Sequence, residues 1–343
     1  MEDSVRVILD GMGGDHAPAE IVKGAVEAAA EMNHEIYIVG KEDAIRGELN
    51  KYQYNEEQIK VVHAGEVITN EDSPVKAIKR KKDSSIVKGL TMLKEGQGDL
   101  FVSAGNTGAQ VVGGRMILGR INGIDRPALA SVYPSLAGGK AGLLVDAGAS
   151  AESKPHNLLE YGTMGSIYME KVLGRENPKV GLVNLGVEEG KGTSVTKEAY
   201  RQLSQAPINF IGNVEARELP TGVCDVIVCD GFVGNVILKL TEGLAWNILK
   251  LIKKKFLDGV KAKIGAIFLK SKLGELKEEF DYSEYGGAPI LGVDGAMIKM
   301  HGSSNAKAVK NTILKGIPYA ENNVVAVIKT AIADLEEIIA GEE

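Results

Sequence analysis

Short apolar runs recur along the chain, and between most of them the apolar positions change to a helical spacing. The runs predict strands at Val5–Leu9, Glu35–Val39, Lys60–His63, Leu100–Ser103, Ala128–Tyr133, Ala141–Val145, Lys179–Asn184, Ile208–Ile211 and Val226–Cys229. The helical spacing predicts helices over Ala19–Met32, Ser85–Glu95, Leu158–Leu173 and Ser194–Leu203. Strands that alternate with helices of roughly 10 to 15 residues imply parallel pairing under two helical layers. No repeat, low-complexity tract or Pro/Ser-rich linker divides the sequence. The expectation is therefore one three-layer α/β/α domain over residues 1–343, with two intertwined lobes and a largely parallel mixed sheet.

One stretch departs from this rhythm. From Leu244 to Lys277, apolar residues recur every four positions at Leu244, Ile248, Ile252 and Phe256, and after Asp258-Gly259 at Val260, Ile264 and Phe268. Between Trp246 and Lys277 there are nine lysines against Asp258 and Glu275. This predicts a protruding amphipathic helical pair inserted at 244–277. Basic amphipathic helices suit an anionic membrane surface or an acidic partner. The plainer reading is a helix pair packed on the core or on a second copy, with its lysines in water.

Composition narrows the classes. A formal net charge of −6 over 343 residues disfavours non-specific nucleic-acid binding. Two cysteines, Cys224 and Cys229, form neither a redox pair nor a zinc pattern, and they fit a reducing cytoplasm. No signal peptide or membrane-spanning run is visible. The five histidines are scattered, and no two aspartates stand four apart, so neither a metal site nor a cofactor is expected.

Several polar glycine loops follow predicted strands: Asp10–Asp15, Ser103–Gly108, Glu188–Gly192, Cys229–Asn235 and His301–Ala306. In an open parallel sheet, ligands bind beyond the carboxyl ends of the strands. Glycine lets backbone N–H groups approach an anion, and Ser, Thr and Asn add neutral donors. One such loop is an ordinary turn or cap, but several together predict a polar, anion-accepting cleft. Walker, dinucleotide and acyl-serine hydrolase motifs are all missing. The basic run Lys76–Lys82 is either a solvated face or an attractor for an acidic partner.

The segments DGMGGDHAP (Asp10–Pro18), RKKDSS (Arg80–Ser85), SAGNTGA (Ser103–Ala109), MGSIY (Met164–Tyr168), NFIGNVE (Asn209–Glu215), VCDGFVGNVILK (Val228–Lys239), YGGAPILGV (Tyr285–Val293) and HGSSNAKA (His301–Ala308) together resemble the bacterial phosphate acyltransferase family, PlsX. The likeness runs in order from about Val5 to Ile317. Gly11 stands where that family has Ala, and Ser150 where it has Asn. The resemblance implies a fold similar to isocitrate and isopropylmalate dehydrogenases and to phosphotransacetylase. It implies transfer of a long-chain acyl group from acyl carrier protein to inorganic phosphate, giving acyl phosphate for phospholipid synthesis. It also implies a homodimer, cytoplasmic and peripherally attached to the inner face of the membrane.

On that resemblance, Lys191 would supply positive charge, Asn235 would donate to the thioester oxygen, and Asp10 would hold its loop or orient a lysine. Taken alone, Lys191 reads as a solvated lysine and Asn235 as a helix N-cap. The loops with Gly13, Gly14, Ser103, Gly105, Asn106 and Thr107, and with His301, Ser303, Ser304 and Asn305, would cradle phosphate. Asp230, Gly231, Phe232 and Gly234 would line the acyl and pantetheine path. Ile248, Ile252, Phe256, Val260, Ile264 and Phe268 would meet the membrane. The Lys76–Lys82 run and the lysines beyond Trp246 are candidate carrier-docking surfaces. Three alternatives remain at this stage: a phosphotransacetylase-like enzyme using acyl-CoA, an NAD(P)-dependent decarboxylating dehydrogenase of the same fold, and a non-catalytic membrane-bound regulator.

Overall fold

The computed structural model describes residues 4–135, 141–256, 269 and 286–340. All nine expected strands form: β1 (Arg6–Asp10), β2 (Glu35–Gly40), β3 (Ile59–His63), β4 (Leu100–Ser103), β5 (Ala128–Tyr133), β6 (Gly142–Val145), β7 (Lys179–Asn184), β8 (Asn209–Glu215) and β9 (Val226–Val228). With β10 (Ala288–Leu291) and β11 (Met297–Lys299) they make one sheet, in the order β3-β2-β1-β4-β11-β10-β5-β6-β9-β7-β8. Its strands are apolar on both faces because helices cover both. Val7 and Leu9 of β1 pack under α1 (Ala19–Ala29), and Ile8 packs on the other side under α4 (Ser85–Lys94).

The sheet is mixed and largely parallel, as expected. β10 is antiparallel to both β11 and β5, and β5 is antiparallel to β6. The connections from Tyr133 to Gly142 and from Leu291 to Met297 are too short for the crossover helix that parallel neighbours need. As a result β3, β2, β1, β4 and β11 point one way, and β6, β9, β7 and β8 point the other.

One apolar layer holds α1, α2 (Glu42–Leu49), α6 (Pro155–Lys171), α7 (Ser194–Gln205), α9 (Ala306–Glu321) and α10 (Val324–Ala340). The opposite layer holds α3 (Pro74–Arg80), α4, α5 (Thr107–Gly113) and the first turns of α8 (Gly231–Phe256). On this second face Ile8, Phe101 and Met297 lie side by side. Two residues on, where the three strands end, the same face turns polar at Asp10, Ser103 and Lys299. At the other end of the sheet the face ends on Asp146, directly after β6.

Of the expected amphipathic pair at 244–277, the described part belongs to α8, which runs unbroken for 26 residues from Gly231 to Phe256. The rest of the pair, with Val260, Ile264 and Phe268, lies outside the described residues. None of the described helices is long and apolar enough to cross a membrane.

Helix α6 carries a buried acid, Glu160, which is 7% exposed. It accepts the Asp125 N–H and the Asn157 amide, but burial outweighs them and pushes its pKa up to about 7. The folded protein therefore binds this proton more tightly than the unfolded chain does. The resulting stability is full below about pH 4.5 and is lost as pH rises through 7, with a magnitude on the order of 3 kcal/mol. Urea titrations of the natural chain and Glu160→Gln between pH 4 and 8 test this. The natural chain should lose ground to the variant across that range, whereas parallel curves would mean that Glu160 ionises normally.

Candidate functional site

The polar loops form two groups because the strands beneath them point in opposite directions. The first group follows β1, β4 and β11. Asp10 is fully buried; one carboxylate oxygen accepts the Ser103 hydroxyl at 2.6 Å and the other accepts the Met12 N–H at 3.1 Å. Ser103 Oγ in turn accepts the Gly105 N–H at 3.0 Å. Gly13 lies so close to Asp10 and to the Gly105 backbone that a Cβ there would overlap both. Gly14 has φ +99°, a conformation that favours glycine, and Asp15 donates its N–H to the Gly302 carbonyl at 2.7 Å. Asp10 thus staples one loop to the next, and the third loop rests on both. Burial raises the Asp10 pKa, against hydrogen bonds from Ser103, Ser85 and the backbone at Met12 and Gly13.

Much of the polar inventory expected to hold phosphate is used by the loops themselves. Asn106 caps α5 by accepting the Ala109 N–H, and its amide donates to the Thr69 carbonyl. Asn305 caps α9 through the Ala308 N–H. His301 Nδ1 accepts the Ser303 N–H at 3.2 Å and lies 2.8 Å from Ser303 Oγ. Ser304 is buried, and the Thr107 hydroxyl has no partner among the described residues. Burial, with Lys299 close by, lowers the His301 pKa, so the imidazole is neutral at pH 7.

The second group follows β6, β7 and β9. Here Asp146 plays the part that Asp10 plays at the other end. Its buried carboxylate accepts the N–H groups of Leu129, Gly148, Ala149 and Ser150 at 2.8–3.0 Å, while burial raises its pKa. The start of α8 sits directly on this loop. Asp230 caps the helix, accepting the Val233 N–H at 2.8 Å. A Cβ on Gly231 would strike the Ser150 carbonyl, and one on Gly234 the Asp146 carbonyl. Asn235 is not the N-cap; it is the fifth residue of the helix, half-buried against Gly148, and its amide makes no hydrogen bond among the described residues. Lys191 is exposed in the loop after β7, the parallel neighbour of β9, and its ammonium has no partner among the described residues. Phe232 is 68% exposed.

Lys191 and Asn235 therefore leave one end of the sheet, and Asp10, Ser103 and His301 leave the other. Helix α8 joins them. It starts at Asp146 and crosses the sheet face, and the Tyr133 and Thr241 hydroxyls, 3.0 Å apart, fix its third turn over the carboxyl end of β5. From Asn235 to Lys239 the helix rises only about 6 Å, and residues four apart share a face. Lys239 and Glu242 there stand within electrostatic reach of Lys299 and His301.

Lys239, Lys299 and Asp146 were not singled out from the sequence. The available signals were the spacing Asn235-x-x-x-Lys239 and a lysine at a core-facing position of a strand. Of the basic run, Lys81 pairs with Asp72, whereas Lys76, Lys79, Arg80 and Lys82 are exposed. Ile248 is exposed, and Ile252 and Phe256 are half-buried. Among the described residues, no cluster of His, Cys, Asp and Glu could hold a metal. Burial pushes the Cys224 thiol up to about 12 and raises Cys229 as well, so neither is a ready nucleophile. The arrangement offers anion binding and carbonyl polarisation.

Glycine spacing along α8 gives a direct test of its seat. Gly234→Ala forces the helix off the Asp146 loop and should cost about 1–3 kcal/mol. Gly243→Ala meets nothing within 4 Å and should stabilise by up to about 1 kcal/mol. Denaturant midpoints of the two variants read this, and shifts of the same sign would contradict the packing described.

Comparison with known proteins gives consistent matches over nearly the whole chain. A family model described as "Fatty acid synthesis protein" matches residues 5–327. The "Phosphate acyltransferase" of Alkaliphilus oremlandii is 55% identical over 331 residues, covering 96% of this chain and 98% of the relative. That of Clostridioides difficile is 49% identical over 333 residues, covering 97% and 98%. Among solved structures, a phosphotransacetylase from Streptococcus pyogenes superposes with TM-score 0.64 at 14% identity, covering 93% of this chain and 95% of its own. A 4-hydroxythreonine-4-phosphate dehydrogenase from Klebsiella pneumoniae superposes with TM-score 0.54 at 10% identity, covering 92% and 100%. At such identities these structures establish the fold, which is the dehydrogenase-like and phosphotransacetylase-like fold expected from the sequence.

Proposed function

The chain belongs to the phosphate acyltransferase family, enzymes that transfer acyl groups to phosphate, and from that premise we propose that its donor is a long-chain acyl thioester of acyl carrier protein and its product an acyl phosphate for phospholipid synthesis. The geometry that carries this reading is Asn235: a half-buried amide with no hydrogen bond among the described residues, at the foot of α8 and next to a glycine loop held by Asp146.

Phosphate is anionic at neutral pH and needs positioning more than deprotonation. One of its oxygens attacks the thioester carbon; the C–O bond forms while the carbonyl electrons move onto oxygen. Asn235 donates to that oxyanion, and Lys191 adds positive charge from the neighbouring loop. The intermediate collapses, the C–S bond breaks, and the carrier leaves as a thiolate that takes its proton from water. A thiol pKa of about 8.5 makes general-acid help dispensable. Holding both reactants together contributes about 7–11 kcal/mol, and one preorganised donor about 2.7–4 kcal/mol. Protonated, buried Cys224 and Cys229 are consistent with direct attack.

The outer face of α8 exposes Phe232, Val236, Leu240, Leu244, Ile248 and Leu251, followed by exposed Lys250, Lys253, Lys254 and Lys255. In the working enzyme a second copy covers the first part of this stripe, and an anionic membrane surface meets the lysine-rich end. This would put acyl phosphate formation at the inner face of the membrane.

The test follows free carrier thiol from palmitoyl–acyl carrier protein with and without phosphate, trapping the product as a hydroxamate. Phosphate-dependent release is expected. Asn235→Ala should lower kcat about 10²- to 10³-fold, and Lys191→Ala should lower it by about tenfold or more. Asp10→Asn keeps an acceptor for Met12 and should fold normally yet lose activity, whereas full activity would reduce Asp10 to a loop staple. Release without phosphate would mean a thioesterase. NAD(P)H turnover would mean a dehydrogenase, and preference for acyl-CoA the phosphotransacetylase-like enzyme. Lipid binding with no transfer at all would mean a regulator.

A further inference from the structure

Lys299 is a half-buried lysine whose ammonium has neither a hydrogen bond nor an ion pair among the described residues. It ends β11 opposite Ser103 of β4, on the face where Asp10, Ser103 and Lys299 succeed the apolar row Ile8, Phe101 and Met297. Lys239 of α8 stands within electrostatic reach of Lys299, on a helix whose next turn is held by the Tyr133–Thr241 contact. His301 lies two residues beyond Lys299 on the adjoining loop. The acids facing this cluster are Glu242 and Asp15. An unpaired cation held partly out of water is costly unless something anionic meets it. Meanwhile two neutral donors of the neighbouring loops are committed: the Ser103 hydroxyl to Asp10 and the Asn106 amide to the Thr69 carbonyl.

We propose that Lys299 and Lys239, with His301, form the subsite for a phosphate oxyanion, and that the anion it takes is the inorganic phosphate that attacks the thioester. This rests on the acyl-transfer reading above and adds the residues that hold the acceptor. The subsite explains how two loop groups at opposite ends of the sheet serve one reaction. Lys239 stands one helical turn above Asn235, so an anion on Lys239 lies beside a carbonyl on Asn235. Burial lowers the Lys299 pKa, and a bound dianion would raise it again. The same oxyanion chemistry occurs in the phosphodiester of the carrier's pantetheine arm, and the two sources give different kinetics.

The experiment measures KM for phosphate, KM for acyl carrier and kcat in Lys299→Met, Lys299→Arg and Lys239→Gln. Lys299→Met should raise KM for phosphate about tenfold to a hundredfold, leaving KM for the carrier unchanged. Lys299→Arg should recover part of that loss. Lys239→Gln, on an exposed helical position that tolerates the change, should raise KM for phosphate about threefold to tenfold. An unchanged KM for phosphate in both Lys299→Met and Lys239→Gln overturns the proposal. A rise confined to KM for the carrier also overturns it and assigns the cluster to the pantetheine phosphodiester. If the natural enzyme forms no acyl phosphate at all, the acyl-transfer reading fails. The subsite is then decided by thermal protection with inorganic phosphate against chloride at equal ionic strength. Protection that Lys299→Met abolishes upholds an anion site, and equal shifts in both proteins overturn it.

Discussion

The reversal of strand direction at β10, β5 and β6 is the constraint on which the rest of the molecule depends. Short connections force antiparallel neighbours in the middle of a sheet whose two flanks are parallel. The polar glycine loops therefore leave the sheet at both ends, and no single carboxyl edge carries them all. Each end solves the same local problem in the same way: a buried aspartate directly at or after a strand accepts hydrogen bonds from the adjoining loop. Asp10 does this after β1 and Asp146 after β6. Their carboxylates face backbone N–H and hydroxyl donors, which answers how acids can sit in loops built to approach an anion.

Helix α8 bridges this divided arrangement, and in the proposed reading it makes one site of it. Its first turn packs so closely on the Asp146 loop that two glycines are required, and its third turn is tied to the far end of β5. Along that path it carries Asn235 and then Lys239. The amide suited to an oxyanion and the cation suited to the attacking phosphate are thus fixed relative to each other by one turn of helix. On the proposed reaction, little is asked of the protein beyond this positioning, because phosphate is already a nucleophile and a thiolate already leaves readily. Buried, protonated cysteines and the lack of a serine nucleophile motif agree with that division of labour.

Much of the architecture was legible in the chain. Apolar runs such as Val5–Leu9 and Leu100–Ser103 fall within a residue of their strands, since burial on both faces leaves an unmistakable pattern. The ordered motifs pointed to the family before any geometry was known. Strand direction was not legible, because an apolar run looks the same whichever way it points. Only the short links after Tyr133 and Leu291 carried that information, and Ala288–Leu291 gave no separate strand signal. Side-chain commitments were hidden too: Asn106 has the composition of an anion donor but gives its amide to the Thr69 carbonyl. Lys299 was passed over because a lone lysine at the end of a strand usually lies in water, and only the pairing with β4 and the crossing of α8 bring it to the site.

The proposed anion site lies between the sheet face and α8, at the junction of the two loop groups. Crystals of the protein soaked in arsenate, a phosphate analogue with a usable anomalous signal, test it directly. The account predicts an arsenic peak between Lys299, Lys239 and His301, on the α8 side of β4 and β11. A peak confined to the Asp146–Ser150 loop, or no peak at an arsenate concentration that competes with phosphate in turnover, would contradict it.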